Sequence, residues 1–242
     1  SGMPFEVEFI SFDDVKNGIP EDIKVIINVG DAYTAFSGAE NWIDEAVVTN
    51  IRRFVDQGGG FIGVGEPTAY QHQGRFFQLS DVLGVDREMC FSLNTDKYNE
   101  LDANHFILED IDGEVDFGEG TSRVYAQGKN YQVLAMDGEY SQLVVNEYGK
   151  GHSVYFAGLP YSPQNCRILL RAIYYAAGME NEMKRYYVTN VDTEVTVFQK
   201  SKKIAVINNS SEAQYTEVYI NGNCVYKLDM EPGEMRWVDD VE

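Results

Sequence analysis

Ile23-Lys24-Val25-Ile26-Ile27-Asn28-Val29-Gly30-Asp31 and Gly60-Phe61-Ile62-Gly63-Val64-Gly65-Glu66 are two nearly continuous apolar runs of strand length, each ended by a glycine and an acid. Such runs read as strands covered on both faces. Between them Ile43, Val47, Ile51, Phe54 and Val55 recur at intervals of three and four, which gathers their side chains on one face of a helix. Gly58-Gly59-Gly60 ends that helix, because glycine takes left-handed backbone at a helix terminus without a Cβ clash. Strand, helix and strand in this order form a crossover unit, which joins parallel strands by a right-handed connection. The first part of the chain therefore reads as α/β.

Working outward, Phe5, Val7 and Phe9 alternate with acids, the pattern of a half-buried edge strand, before a polar stretch from Asp13 to Asp22. On the other side, Gly65 to Gln73 reads as a polar loop, and Phe76, Leu79 and Leu83 fall at helical spacing before Gly84. Residues 85–120 carry turn signals such as Asp112-Gly113 and two or three short strands. Gln142–Tyr148 and Ser153–Ala157, joined by Gly149-Lys150-Gly151, predict a hairpin. Ser162-Pro163 opens a helix through Ala177, which offers Ile168, Leu169, Ala172, Ile173 and Ala176 to the sheet before Gly178 closes it. Beyond Glu180–Arg185 only short strands follow, with Asn221-Gly222 and Pro232-Gly233 as turns. This places a boundary near residue 183: an α/β unit over 1–183 and a small antiparallel β sandwich over 184–242, too small to be more than marginal alone.

The chain has 242 residues, 44% hydrophobic and 24% charged, the composition of an ordered globular protein. Its 19 basic residues face 39 acids, a net charge of −20, and such a surface repels phosphate backbones and anionic membranes. No nucleic-acid partner and no membrane is expected. Cys90, Cys166 and Cys224 are scattered, which suits a reducing compartment better than a disulfide framework, and with no basic-then-apolar leader visible a cytoplasmic location is expected. His72, His105 and His152 show no ligand-pair spacing, so neither a metal nor another cofactor is expected. Acidic pairs such as Glu109-Asp110 and Asp239-Asp240 are expected by chance in so acidic a chain and read as solvated faces.

The loop after the second strand is where an α/β protein places its chemistry. Gly63-Val64-Gly65-Glu66-Pro67-Thr68 ends in threonine where a dinucleotide fingerprint has its third glycine, which argues against nucleotide binding. The same turn is where class I glutamine amidotransferases present a cysteine; here that degenerate nucleophile position is Gly65. Phe156-Ala157-Gly158-Leu159-Pro160-Tyr161, where the activating histidine and glutamate would follow, has neither. The lack of a nucleophile, and of a base to take its proton, argues strongly against amide hydrolysis, and no catalytic residue is assigned. The remaining candidates are substrate-facing: Asp31, Tyr33 and Phe36 on one strand-end loop, and Glu66, Tyr70, His72 and Arg75 after the next, residues that contact sugars or proteins by stacking and forked hydrogen bonds.

Longer stretches carry a family likeness. Ile26-Ile27-Asn28-Val29-Gly30-Asp31-Ala32-Tyr33-Thr34-Ala35-Phe36, Gly60-Phe61-Ile62-Gly63-Val64-Gly65-Glu66-Pro67, Gly74-Arg75-Phe76-Phe77-Gln78-Leu79, Asp116-Phe117-Gly118-Glu119 and Gly158-Leu159-Pro160-Tyr161-Ser162 resemble the C-terminal half of the galactosyl-N-acetylhexosamine (lacto-N-biose) phosphorylases. The resemblance implies an enzyme that cleaves a β-galactoside with phosphate, with inversion, to α-galactose 1-phosphate and a free sugar. It implies a catalytic TIM barrel, a glutamine-amidotransferase-like (flavodoxin-like) domain without its triad, whose mostly parallel sheet has helices on both faces, and a small β domain. A barrel needs about 250 residues by itself, so the chain is expected to be a scaffold and oligomerisation segment, inactive alone. Its expected partners are the barrel of the same enzyme and further copies of itself, with galactoside and phosphate reached only through the parent enzyme. A carbohydrate-binding module is the alternative reading, and an amidotransferase-like hydrolase the least favoured.

Overall fold

The computed structural model describes residues 5–89 and 100–239; Cys90 and Asp240 lie outside them. The chain begins without the edge strand that Phe5, Val7 and Phe9 suggested. Val7 is 75% and Phe9 96% exposed, and among the described residues no strand pairs with them, so alternation alone does not make a strand here. The polar stretch that follows holds a short helix, α1 (Phe12–Asn17). A capping box starts it: the Asp14 amide donates to Ser11 Oγ at 3.2 Å, and the Ser11 amide donates to the Asp14 carboxylate at 2.8 Å.

The crossover unit forms as read, with β1 (Val25–Gly30), α2 (Glu45–Asp56) and β2 (Gly60–Gly65), β1 and β2 pairing in parallel from Val25↔Gly60 to Gly30↔Gly65. Next comes a feature the helical spacing of Phe76, Leu79 and Leu83 concealed: β3 (Ala69–His72) and β4 (Arg75–Phe77) form a hairpin, and only Ser80–Leu83 is helical, as α3. The reason lies in the turn. Gln73 (φ 50°) and Gly74 (φ 79°) both take positive φ, the two-residue turn whose twist matches that of paired strands. A short pair, β5 (Val85–Arg87) and β6 (Val124–Ala126), follows, and then β7 (Tyr131–Asp137), β8 (Tyr140–Tyr148) and β9 (Gly151–Phe156) complete the main sheet.

That sheet has the order β1-β2-β9-β8-β7. β1, β2 and β9 pair in parallel, while β8 pairs antiparallel with β9 and β7 antiparallel with β8, so parallel pairing, expected through most of the sheet, ends at β9. Residues adjacent in sequence send their side chains to opposite faces. Phe61, Val144 and Tyr155 pack with Val47, Ile51 and Val55 of α2, whereas Ile62, Val145, Val154 and Phe156 pack with Ile168, Ala172 and Ala176 of α4 (Pro163–Ala176). Helices thus cover both faces. β1, however, is an edge strand with Ile27 44% and Val29 46% exposed; only its Val25 packs against the cluster under α4, which lies mainly over β2 and β9. The expectation that β1 is covered on both faces therefore fails on one side.

After α5 (Glu180–Arg185) come β10 (Tyr186–Val188), β11 (Thr193–Phe198), β12 (Lys203–Asn208), β13 (Gln214–Ile220), β14 (Asn223–Met230) and β15 (Met235–Asp239). They form two antiparallel sheets, β10-β13-β14 and β11-β12-β15, that share a core of Val188, Ile204, Val206, Val218, Ile220, Leu228 and Met230. Arg167 of α4 fastens these strands to the rest. Its side chain is only 6% exposed, and its guanidinium donates to Asp110 (2.8 Å) and to the carbonyls of Val188 (2.9 Å) and Asn190 (3.2 Å). Asp110 also faces Arg171 Nε at 2.6 Å, a pairing by charge without an aligned hydrogen bond. The Glu109-Asp110 pair is therefore not a solvated face but part of an ion network with Arg167, Arg171 and Lys184.

Candidate functional site

The C-terminal ends of β1 and β2 lie side by side, and two glycines shape them. Gly30 has φ 122°, and a Cβ there would stand 3.0 Å from Phe36 Cβ; Gly65 has φ 79°, with Gly30 O 3.3 Å from where its Cβ would be. Both positions favour glycine because an L side chain rarely takes positive φ. Beneath Gly65, the hydroxyl of the fully buried Tyr155 donates to the Gly65 carbonyl at 3.2 Å. Burial pushes the Tyr155 phenol far above its ordinary pKa, so it remains a donor.

Glu66 joins the two loops. Its amide donates to the Gly30 carbonyl at 3.0 Å, one carboxylate oxygen accepts the Ala32 amide at 2.8 Å, and the other pairs with Arg87 of β5. The Arg87 guanidinium in turn lies over the Phe76 ring, 4.9 Å from its centroid. Asn28 makes a second tie, accepting the Thr68 amide at 2.9 Å and donating to the Ser37 carbonyl at 3.2 Å. The Ser37 carbonyl also accepts the indole N–H of the buried Trp42, and the Ser37 hydroxyl donates to the Asp31 carbonyl at 2.6 Å. Both loops are held by hydrogen bonds that cross between them.

Of the residues singled out from sequence, the fold brings Tyr33, Tyr70 and Glu66 together beside Asp31. The Tyr33 ring stands edge-on to Tyr70 at 5.5 Å and to Phe76 at 6.5 Å, and its hydroxyl accepts the Gln71 amide at 3.4 Å. Phe36, on the same loop as Asp31 and Tyr33, is exposed. His72 and Arg75 flank the β3–β4 turn and are exposed there; Arg75 lines a different cleft, of about 470 Å³, with Asp81, Asp86 and Tyr125. Sequence reasoning passed over Arg87 and Phe76. Nothing in Val85-Asp86-Arg87 marks the arginine, whose role arises only when β5 brings it opposite Glu66.

The two histidines outside this site flank one tyrosine. His105 and His152 lie 4.6 and 4.8 Å from the Tyr175 ring, and His105 Nδ1 accepts the Ile107 amide at 3.2 Å. Burial lowers the His105 pKa below its ordinary value, which suits a neutral acceptor. Among the described residues no three His, Cys, Asp or Glu side chains gather as a metal would require. At the strand ends, then, Gly65 offers only backbone, and both oxygens of Glu66 are engaged. The arrangement presents aromatic edges on loops tied together by hydrogen bonds.

Comparison with known proteins agrees with the family likeness. The model for the lacto-N-biose phosphorylase central domain matches residues 1–182, and that for the lacto-N-biose phosphorylase C-terminal domain matches residues 186–238. A 1,3-beta-galactosyl-N-acetylhexosamine phosphorylase of Lachnoclostridium phytofermentans is 48% identical over 244 residues, covering 100% of this chain and 34% of the relative. Its counterpart from Bifidobacterium longum subsp. longum is 37% identical over 271 residues, covering 98% of this chain and 36% of the relative. The chain thus spans about a third of the length of these relatives. Among solved structures, a β-galactosidase from Rahnella sp. R3 superposes with TM-score 0.46 at 19% identity, covering 89% of this chain and 32% of the other, a likeness too distant to bear on function.

Proposed function

The chain belongs to the lacto-N-biose phosphorylase family, and from that premise we propose that it is a non-catalytic scaffold and oligomerisation segment of an inverting β-galactoside phosphorylase. The parent reaction is phosphorolysis of a β-galactosyl-1,3-N-acetylhexosamine or related galactoside to α-galactose 1-phosphate and a free sugar. Its catalytic acid and phosphate pocket reside in a TIM-barrel domain of the same cytoplasmic enzyme. The observation that carries this reading is Gly65. It sits at the end of β2 with φ 79°, at the position where a class I amidotransferase carries its nucleophile, yet it has no side chain, and its neighbour Glu66 is occupied by Ala32 and Arg87. A bare glycine at that position supports an amidotransferase-like, flavodoxin-like fold retained for its shape.

In this reading residues 1–183 and 184–242 are separate units, a division supported by family matches that stop at 182 and resume at 186 and by the C-terminal strands having a core of their own. The loops that carry Asp31, Tyr33, Glu66 and Tyr70 face the barrel, with His72 and Arg75 reaching past them on the hairpin tip. The test is direct: purified chain incubated with lacto-N-biose and phosphate is expected to release no galactose 1-phosphate. Turnover by the chain alone would overturn the scaffold reading.

A further inference from the structure

The cleft of about 470 Å³ that Arg75 lines has a size suited to small molecules, and its charges define which kind. The β3–β4 turn, α3, β5, the β6–β7 turn and the end of β8 wall it, and its charged lining residues are Arg75, Asp81, Asp86, Lys129 and Glu147. Two of the acids are engaged or turned away. Arg52 holds Asp81, with Nε 2.9 Å from one carboxylate oxygen and a terminal nitrogen 3.0 Å from the other. The cleft lies on the side of Asn146, which donates to the Val82 carbonyl at 2.8 Å, whereas Glu147 shares the face of Val145, the α4 side, because alternate strand residues point to opposite faces. Asp86 remains. It is only 5% exposed, and its Oδ1 accepts the amides of Phe76, Phe77 and Arg87 at 3.2, 2.9 and 2.8 Å. Its Oδ2 has no donor among the described residues and is not sealed from solvent. Arg75 and Lys129 are exposed and pair with no acid among the described residues, in a chain whose net charge is −20.

The uncommitted charges of the cleft are thus two cations and one carboxylate oxygen. A ligand that answers all three carries two anionic groups and one ammonium; an inorganic anion or a plain dicarboxylate leaves Asp86 unanswered. We propose that this cleft binds a free acidic amino acid, aspartate or glutamate, with its ammonium donating to Asp86 Oδ2 and its two carboxylates on Arg75 and Lys129. Burial raises the Asp86 pKa, and three backbone amides and the Arg75 charge oppose that rise; a bound ammonium adds to the opposition. The site is separate from the strand-end loops and does not depend on the scaffold reading. Because its walls come from both the β3–β4 hairpin and the β6–β7 turn, an occupied cleft also ties these two segments together.

The test uses the chain as it stands, at fixed pH and ionic strength, with L-glutamate, L-aspartate, glutarate and inorganic phosphate each titrated to ~10 mM, the weak end of measurable affinity, and amide signals followed by NMR. Saturable shifts at Gly74, Gln127 and Asn130 with at least one of the two amino acids are expected. Glutarate, which lacks the ammonium, is expected to bind about tenfold more weakly, the scale of a hydrogen bond to a charged group. Arg75→Gln and Lys129→Gln, both at exposed positions, are each expected to weaken amino-acid binding about threefold, the scale of a solvent-exposed ion pair. Asp86→Asn is expected to bring the amino acid down to the affinity of glutarate while leaving glutarate unchanged; if that variant unfolds, the two exposed variants decide. No saturable shift at these residues, glutarate or phosphate binding as tightly as the amino acids, or unchanged affinity in both Arg75→Gln and Lys129→Gln would each overturn the proposal.

Discussion

The sheet between β1 and β9 and the two small sheets after Tyr186 hide their apolar side chains by different means. The largest fully buried side chains, Trp42, Tyr155, Phe61, Phe77 and Phe156 among them, all belong to the first region. There two clusters flank one sheet, and each is closed by a helix. Among the described residues the second region buries seven core residues, none of them aromatic, with Tyr186 and Tyr226 packed against them. Arg167 reaches from α4 to its backbone carbonyls. The contrast teaches that the larger unit hides large side chains under helices, whereas the small β unit adds a buried cation from its neighbour to a lighter core.

The sharpest test is Arg167→Met. Burial pulls the Arg167 pKa below its ordinary value, with Asp110 opposing, so the charge is tolerated only while its partners are present. Removing it leaves Asp110 with Arg171 alone and takes one donor from each of the Val188 and Asn190 carbonyls, an expected loss of about 3–5 kcal/mol. Hydrogen exchange is expected to show residues 186–239 losing protection while β2 and β9 keep theirs; uniform loss would erase the distinction between the regions. Gly65→Ala, in the first region, forces an L residue to positive φ beside Gly30 and is expected to cost about 1–2 kcal/mol in urea unfolding. A neutral result would mean that the strand-end loops yield easily.

Smaller still, Tyr155→Phe removes the bond to the Gly65 carbonyl and is expected to cost about 1 kcal/mol, with amide shifts confined to Gly65 and Glu66. Titration separates the regions by sign. Lys227, Tyr215 and Tyr219 hold the Glu217 carboxyl down to about 2, so its contribution is complete above its ordinary 4.5 and is lost as pH falls from there toward 2. Asp86 is the reverse: burial raises its pKa, so the folded state takes up a proton more readily, and its contribution declines as pH rises through the folded value. Acidification is therefore expected to loosen β13 and β14 before β4 and β5. NMR titration of the Glu217 carboxyl, with Lys227→Met shifting its midpoint upward, checks the first half.

Much of this was legible in the residues. The crossover unit, the β8–β9 hairpin, the long helix α4 and the strand-only tail all declare themselves through periodicity and punctuation, because each is a local pattern answered by its immediate neighbours. What escaped depends on partners remote in sequence. Phe5, Val7 and Phe9 alternate like a strand, but none of the described strands pairs with them. Phe76, Leu79 and Leu83 are spaced like a helix, yet Gln73-Gly74 turns the chain first, and that dipeptide was the available sign. Ser11 and Asp14 spelled a capping box that the surrounding polarity obscured. In the candidate site, Tyr33, Glu66 and Tyr70 could be gathered by reasoning that neighbouring strand ends share a rim. Arg87 could not, because a lone arginine in a three-residue strand carries no signature until the strand is placed.

The amide of Asn28, set between the Thr68 amide and the Ser37 carbonyl, makes the two rim loops geometrically interdependent. Lengthening one of them displaces an anchor of the other, so neither can drift in evolution by itself. Grafting a single loop from a relative should therefore yield a poorly ordered rim, whereas transplanting both together with their shared asparagine should carry the geometry across intact.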